Sequence, residues 1–534
     1  MQRVGIPMSS NIGGDVFESL AKLNDQIKKN DGIRSFSIKT NSCYDSDAPV
    51  SEGTQTHIRI TNSYHDMNQL DETYLRCRWK MTVKIAKAIT VSGSNYVKFF
   101  VGWKNSNEAI RQLEVENNNV DCDYLQTESA KEGFAYATYK PEEEKKNRKY
   151  AHSRWEDVEM GVPGVCGAYI YVAATTTDNA EQTVTFDTVI PINDLLAFQA
   201  FEEFPGCLGD IVLKLYFTSQ SMVYGFCDPA LLLEAINFWN TSNGELVANK
   251  DQKPIGAAWP YTRGFTQVGQ QSIQPNIVSD TADSNKVNVQ TISVTSLELT
   301  NLYCDVSGYN ITQECKRNIA TMFTPEHPLI IPAQHMDVKN LPKKGGGGQY
   351  DADFTYALHN VTDFITVFPR TSQDMTCFYN PVIENLQLRC DGKLYPTHKI
   401  DSTTDYRFYQ MMMNASDLDN YYEADKSYSN SLTTKIPAGF KNTCTPYDIS
   451  SFICTFQCER NTKGYCFDGL ETGNVNVNIG LQFNANATTS WYGKDDRASP
   501  QIWFARDTYW TVDNVNGLKY HKTGTPPIYA STED

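Results

Sequence analysis

The segment Leu75-Arg76-Cys77-Arg78-Trp79-Lys80-Met81-Thr82-Val83-Lys84-Ile85 decides the fold. Its odd-numbered residues are apolar and its even-numbered ones polar, without exception. A period of two sends alternate side chains to opposite faces of an extended chain, so this is a strand with one face in a core and one in water. The same period recurs in Asp210–Phe217, where Ile211, Leu213, Leu215 and Phe217 alternate with Val212, Lys214 and Tyr216. It recurs again in Asn474–Phe483, with Val475, Val477, Ile479, Leu481 and Phe483 on one face. Further strands are expected at Gln55–Thr61, Tyr96–Trp103, Ala168–Ala173, Thr183–Ile190, Lys286–Thr295, Phe364–Phe368, Val382–Cys390 and Ser451–Cys458. Asp391-Gly392 follows one of these and reads as a two-residue hairpin turn, because both residues tolerate a positive φ.

Helical signals are few. Asp15–Lys29 carries Val16, Leu20, Leu23 and Ile27 at spacings of four, three and four, supported by Phe17. Asp15 serves as its N-cap, with Glu18 three residues on. Asp228-Pro229 places a cap and an N1 proline before a second helix at Ala230–Trp239, and a third is expected at Asp405–Met413. Many short strands and few helices predict an all-β fold of antiparallel sandwiches, not a parallel α/β sheet.

The signals divide the chain into two halves of similar size. The expected order is an N-terminal arm with its amphipathic helix (1–39), a first sandwich (40–240) with an inserted polar loop (104–165), and a polar connecting segment (241–285). A second sandwich (286–515) and a C-terminal tail (516–534) follow. Asp31–Lys39 reads as a tether without strong structure. Both halves close alike, on Gly209–Phe217 and Gly473–Phe483, each an alternating strand behind a glycine. That likeness points to two sandwiches of one type.

Of 534 residues, 47 are Lys or Arg and 63 Asp or Glu, for a net charge of −16. Such a chain is not drawn to phosphate backbones, which argues against a dedicated nucleic-acid binder. At 40% apolar and 12% aromatic it can fill real cores, which excludes disorder as its main state. The longest apolar stretch, near Ala230–Ile236, is interrupted by Glu234 and is too short for a membrane-spanning helix. No apolar run follows Met1, so no secretory signal is expected. With 14 cysteines the chain is far from a disulfide scaffold, and reduced thiols are expected.

No catalytic signature stands out. There is no Gly-x-Ser-x-Gly elbow, phosphate loop, His-Glu-x-x-His or dinucleotide fingerprint. Lys343-Lys344-Gly345-Gly346-Gly347-Gly348 lacks the strand-to-helix setting of a phosphate loop, and Glu142-Glu143-Glu144-Lys145-Lys146 reads as a solvated charge run. The eight histidines are scattered; His327 and His335 fall in a Pro-rich stretch read as a loop. Cys444, Cys454, Cys458 and Cys466 are the best zinc candidates, but only Cys454/Cys458 has knuckle-like spacing. On a strand those two share a face with Phe456, the pattern of small buried hydrophobes. Carboxylate pairs such as Asp45/Asp47 and Glu202/Glu203 are ordinary in so acidic a chain. The reading is therefore of a non-enzymatic protein with no metal and no cofactor.

Several segments resemble one family. Val189-Ile190-Pro191-Ile192-Asn193-Asp194-Leu195-Leu196 followed by Phe204-Pro205-Gly206-Cys207-Leu208-Gly209-Asp210-Ile211 is similar to the closing part of a capsid jelly roll. Phe368-Pro369-Arg370, Phe378-Tyr379-Asn380-Pro381 and Asn385–Pro396 are similar to part of a second roll. With Asp71–Trp79 they resemble the double jelly-roll major capsid proteins of virophages and Polinton/Maverick-like viruses. The resemblance implies two tandem eight-stranded antiparallel jelly rolls and a homotrimer forming a pseudo-hexameric capsomer of an icosahedral virion. It further implies neighbouring capsomers and minor capsid or penton proteins as partners, with assembly in the host cytoplasm or nucleus. The N-terminal stripe (Val16, Phe17, Leu20, Leu23, Ile27) is then expected to dock on a neighbouring subunit or an inner-face partner. The alternative reading is a carbohydrate-binding or adhesin-like β-sandwich of a viral spike or fibre, whose aromatics would stack on sugars.

Overall fold

The structure is a computed structural model. It describes residues 19–26, 34–41, 48–49, 54–61, 65–89, 96–102, 110–117, 120–127, 167–173, 179–192, 195–198, 200–217, 223–227, 264–266, 272–273, 288–342, 348–368, 383–400, 454–458, 469–485 and 499–523.

From the amino end the strands are β1 (Arg34–Asn41), β2 (Ala48–Pro49), β3 (Thr54–Ile60), β4 (Met67–Ile89), β5 (Tyr96–Gly102), β6 (Ile110–Asn117) and β7 (Val120–Thr127). Then come β8 (Gly167–Ala173), β9 (Ala180–Pro191), β10 (Glu203–Pro205), β11 (Ile211–Phe217), β12 (Val223–Cys227), β13 (Gly264–Thr266), β14 (Ser272–Ile273) and β15 (Asn288–Asn310). A helix at Gln313–Met322 separates these from β16 (Leu329–Asn340), β17 (Gly348–Ala357), β18 (Val361–Val367), β19 (Ile383–Cys390) and β20 (Lys393–Ile400). The last strands are β21 (Cys454–Gln457), β22 (Asn476–Ala485), β23 (Gln501–Asp513) and β24 (Gly517–His521).

The carboxy-terminal half is an eight-stranded jelly roll. One sheet runs β16-β23-β18-β21 and the other β17-β22-β19-β20, all antiparallel. Counted along the half, these are strands 1-8-3-6 and 2-7-4-5, the order of two interleaved Greek keys. The amino-terminal half repeats it. Its eight principal strands are β1, β3, β4, β6, β7, β9, β11 and β15, paired as β1-β15-β4-β9 and β3-β11-β6-β7. The chain is a double jelly roll by strand order alone.

Strands of a roll run alternately up and down, so every connection that leaves an odd-numbered strand lies at one end. In the first roll the connections after its third, fifth and seventh strands carry β5, β8, and β12 with β13. These converge into one further sheet, β13-β12-β5-β8. Three insertions distant in sequence thus meet because the fold returns them to one end.

The alternating segment lies in β4. Leu75, Cys77, Trp79, Met81, Val83 and Ile85 are all buried, while Arg76, Arg78, Lys80, Thr82 and Lys84 line the other face. Trp79 meets Phe217 of the opposite sheet edge to face at 5.6 Å, and its indole N–H donates to Thr188 Oγ1 at 2.9 Å. The second roll has its own core, where Phe504 packs on Phe354, Tyr356 and Phe364. Asp391-Gly392 forms the expected turn between β19 and β20, both residues at positive φ (48° and 75°).

Several expectations are corrected. Lys286–Thr295 does not open the second roll: β15 is the eighth strand of the first, sandwiched between β1 and β4. The first roll therefore extends to residue 310 and the second begins at β16. Residues 34–39 belong to β1 and are not a tether. The loop expected over 104–165 contains β6 and β7, half of a sheet. The Pro-rich stretch holding His335 is β16, and the expected tail begins with β24, hydrogen-bonded to β23. Val475 is exposed (63%), because a turn at Gly473-Asn474 precedes β22 and withdraws it from the alternation. The helices expected at Ala230–Trp239 and Asp405–Met413 lie outside the described residues.

Candidate assembly surfaces

One apolar core is common to the first roll and the adjoining part of the second, beside the second roll's own. After β9, residues 196–198 form a short turn of 3₁₀ helix that leads through Phe201 into β10. This connection packs on β23: Phe198 stacks on Trp510 (6.2 Å, 16° between planes), and Phe201 meets it edge-on at 6.1 Å. The Trp510 indole N–H donates to the Ala197 carbonyl at 2.9 Å, which satisfies the only polar atom of that side chain. Leu329 and Ile331 of β16, Val512 of β23, and Leu518 and Tyr520 of β24 join the same apolar cluster as Phe198, Phe201 and Phe204. β24 also lies against β6 and β7.

The link between rolls is part of this junction. Thr312 caps the helix Gln313–Met322, accepting from the Cys315 N–H at 3.2 Å, and Ile319 and Phe323 enter the shared core. Asp66 binds the Ile311 N–H (3.1 Å) and Lys316 Nζ (2.6 Å), fixing the helix to the start of β4. At the far end Asn514, in the β23–β24 turn, donates to the Ala320 carbonyl.

The N-terminal stripe joins the same place. Residues 19–26 are helical; Leu23 is buried in the shared core and Leu20 packs against it. Ser19 Oγ donates to the Ile330 carbonyl and accepts from its N–H, each at 3.3 Å. Leu23 is thus covered by its own chain, and Leu20 partly so. Val16, Phe17 and Ile27 lie outside the described residues.

Beside the junction the second roll buries a charge cluster. The Arg506 guanidinium, 3% exposed, binds Asp337 Oδ2 at 2.7 Å, and Tyr356 O–H donates to the same oxygen at 2.9 Å. His335 Nδ1 lies 3.6 Å from Asp337 Oδ1 and Lys522 Nζ 3.8 Å from it. Burial pushes the Asp337 carboxyl up, but Arg506, His335, Lys522 and the Tyr356 hydrogen bond outweigh it and hold the group below the usual carboxylate range. The cluster is an ion-pair network that ties β16 to β23 and to Lys522, the residue after β24.

The remaining candidates are dispersed. Cys454 is fully buried on β21, and the Cys458 thiol donates to the Phe456 carbonyl (3.7 Å). Cys444 and Cys466 lie outside the described residues, as do Asp45, Asp47, Glu142–Lys146 and the glycines 345–347. Glu203 accepts from Tyr309 O–H at 2.8 Å, one more ordinary buried pair. His327 closes a turn with Thr324, away from the His335 cluster. Among the described residues no three His, Cys, Asp or Glu side chains gather as metal ligands, and no helix is long and apolar enough to cross a membrane.

What sequence reasoning missed is the aromatic junction itself. Phe198, Phe201 and Trp510 carry no periodic signal, since two lie in an irregular connection and the third on a strand buried on both faces.

No protein-family model and no curated protein matches the chain. Among solved structures it is similar to the major capsid protein of mavirus, at 10% identity and TM-score 0.42 over 93% of each chain. It is also similar to the Faustovirus major capsid protein (9%, TM-score 0.41, 93% of this chain and 98% of that one). A third is the cryo-EM structure of the Sputnik virophage (8%, TM-score 0.43, 93% of this chain and 89% of that one). The double jelly-roll assignment stands on the strand orders and takes nothing from these values.

Proposed function

We propose that this chain is a major capsid protein, three copies of which form a pseudo-hexameric capsomer that tiles an icosahedral shell. The observation that carries the reading is the doubling: two rolls of one strand order, joined into a block by a shared aromatic core. A two-roll block is the unit that three-fold symmetry converts into six similar rolls, a shape that fills a hexagonal lattice. A rigid junction serves that purpose, because a flexible pair of domains would not hold six rolls in a plane. The three insertions at one end give the block a distinct outer head, leaving the opposite end for partners beneath the shell.

On this reading the work of the molecule is association, not chemistry, and it needs no cofactor. Its place is the virion, with assembly in the host cytoplasm or nucleus, and its partners are neighbouring capsomers and minor capsid or penton proteins. Light scattering and negative-stain microscopy of the purified protein test it. Three chain masses and pseudo-hexagonal particles are expected; a monomer at every concentration defeats the proposal.

A further inference from the structure

The sheet built by the three insertions of the first roll has two faces of different chemistry. Directly opposite residues of antiparallel strands share a face, and successive residues of one strand alternate between faces. The register sets Phe100 of β5 opposite Tyr169 of β8 and Phe226 of β12, Lys98 opposite Tyr171, and Gly102 opposite Tyr224. Tyr96, Phe100, Tyr169, Tyr171, Tyr224 and Phe226 therefore occupy one face, and Phe265 of β13, opposite Tyr224, extends it. Val97, Val101, Ile170 and Val172 occupy the other, where Phe99 is the one aromatic residue of these strands. The aliphatic face is the one turned to the roll: Ile170 is buried in its core and Ala168, on the same face, packs against that core.

We propose that the aromatic face of β13-β12-β5-β8 binds a neutral oligosaccharide. The assignment goes beyond the capsomer reading and does not depend on it. The segregation of residue types is the first argument. Covering a sheet with protein needs only aliphatic residues, as the opposite face illustrates. Aromatic residues suit the flat apolar face of a sugar ring, and tyrosines add hydroxyls for its polar rim. The second argument is charge. Lys98 is the one charged residue at the paired positions of this face, in a chain of which 21% is charged. An uncharged ligand fits that neutrality. A single-stranded nucleic acid also stacks on aromatic residues, but it needs a basic groove for its phosphates, which these positions do not supply. The third is spacing. Neighbouring strands lie about 4.8 Å apart and alternate residues of one strand about 7 Å apart, a grid that successive rings of one sugar chain can occupy.

The test uses the full-length protein and immobilised cellohexaose, mannohexaose and chitohexaose, with heparin and oligothymidylate as charged contrasts. Wild type is expected to bind at least one of the neutral sugars saturably and neither contrast. The double substitution Tyr169→Ser/Tyr171→Ser should weaken that binding about tenfold or more at an unchanged melting temperature, and Tyr169→Phe/Tyr171→Phe should weaken it less. Tyr395→Ser, at a half-exposed residue of β20 in the second roll, should leave it unchanged. Tyrosine nitration of the wild type gives a second readout that needs no variant: peptides carrying Tyr169, Tyr171 and Tyr224 should be protected by the bound sugar. If the serine variant does not fold, the nitration pattern decides. Binding of no neutral sugar, preference for heparin or oligothymidylate, binding that survives the serine substitutions, or tyrosines that the sugar leaves unprotected overturns the proposal. Each of these results leaves the capsomer reading intact, because that reading is tested by subunit mass and particle shape.

Discussion

Trp510→Ala tests whether the two rolls form one cooperative block. The indole is fully buried and touches Phe198, Phe201 and Tyr520. Truncating a core aromatic of this kind costs about 3–5 kcal/mol through lost burial and the cavity left behind. The Ala197 carbonyl, now without its donor, adds about 1–3 kcal/mol. Trp510→Phe keeps most of the volume and isolates the second contribution. The distinctive outcome concerns cooperativity. In wild type, urea unfolding of the unassembled protein should follow a single transition, because the shared core couples the rolls. In Trp510→Ala that transition should split, with intrinsic fluorescence and far-ultraviolet circular dichroism no longer coincident. Phe504→Ala, which damages the second roll's own core, should lower stability comparably and keep the rolls coupled. A Trp510→Ala protein that loses less than about 1 kcal/mol, or that unfolds in one coincident transition, refutes the shared-core reasoning.

Arg506→Met should cost about 3–5 kcal/mol by stranding the Asp337 carboxylate in the interior, and adding Asp337→Leu should recover much of it in a denaturant titration. Because Asp337 titrates below its unfolded value, its contribution is present above the unfolded value and lost as pH falls through the folded one; Asp337→Asn should therefore be less stable near neutrality, little changed in strong acid, and show a shallower acid limb in a stability–pH curve. Gly480 lies where Arg389 crosses β22 to reach Asp351 and Asp353, and a Cβ there would stand 2.9 Å from the Ala352 carbonyl oxygen. Gly480→Ala should thus cost about 1–3 kcal/mol by overpacking, more than Arg389→Ala, whose exposed ion pairs are worth under about 1 kcal/mol; thermal melts of the two variants decide. Asp71, exposed on β4, is raised to about 6 by partial loss of its surrounding water and then by the charges of Glu72 and Glu202. Its folded form holds a proton that the unfolded chain has lost, so stability falls as pH rises from about 4 to 6 and stays reduced above. Asp71→Asn should stabilise at pH 8 and change little at pH 4, and a uniform shift at both would contradict the assignment.

The period-two pattern of Leu75–Ile85 is a local property, set by which side chains tolerate water, and it determined strand and buried face without any knowledge of neighbours. The Asp391-Gly392 turn is local in the same way, because its backbone angles are a property of two residues. The count of such strands against few helical stripes likewise sufficed to predict an all-β molecule, and the resemblance of a few segments sufficed to suggest two rolls. Strand partners were beyond it. Nothing in Asn288–Asn310 says that it pairs with β1 and β4 on its amino side, since an alternating pattern names a face and not a neighbour. β6 and β7 were lost in a polar insertion because their apolar residues are few, and β6 carries charged residues such as Glu116, which pairs with Lys214 of β11. β23 has no alternation to read, for it is covered on both faces, one of them partly by another roll. The junction was decided by tertiary structure alone. Phe198, Trp510, Leu23 and Ile319 come from four distant segments, and only the return of the chain to one place makes their separate apolar surfaces a single core.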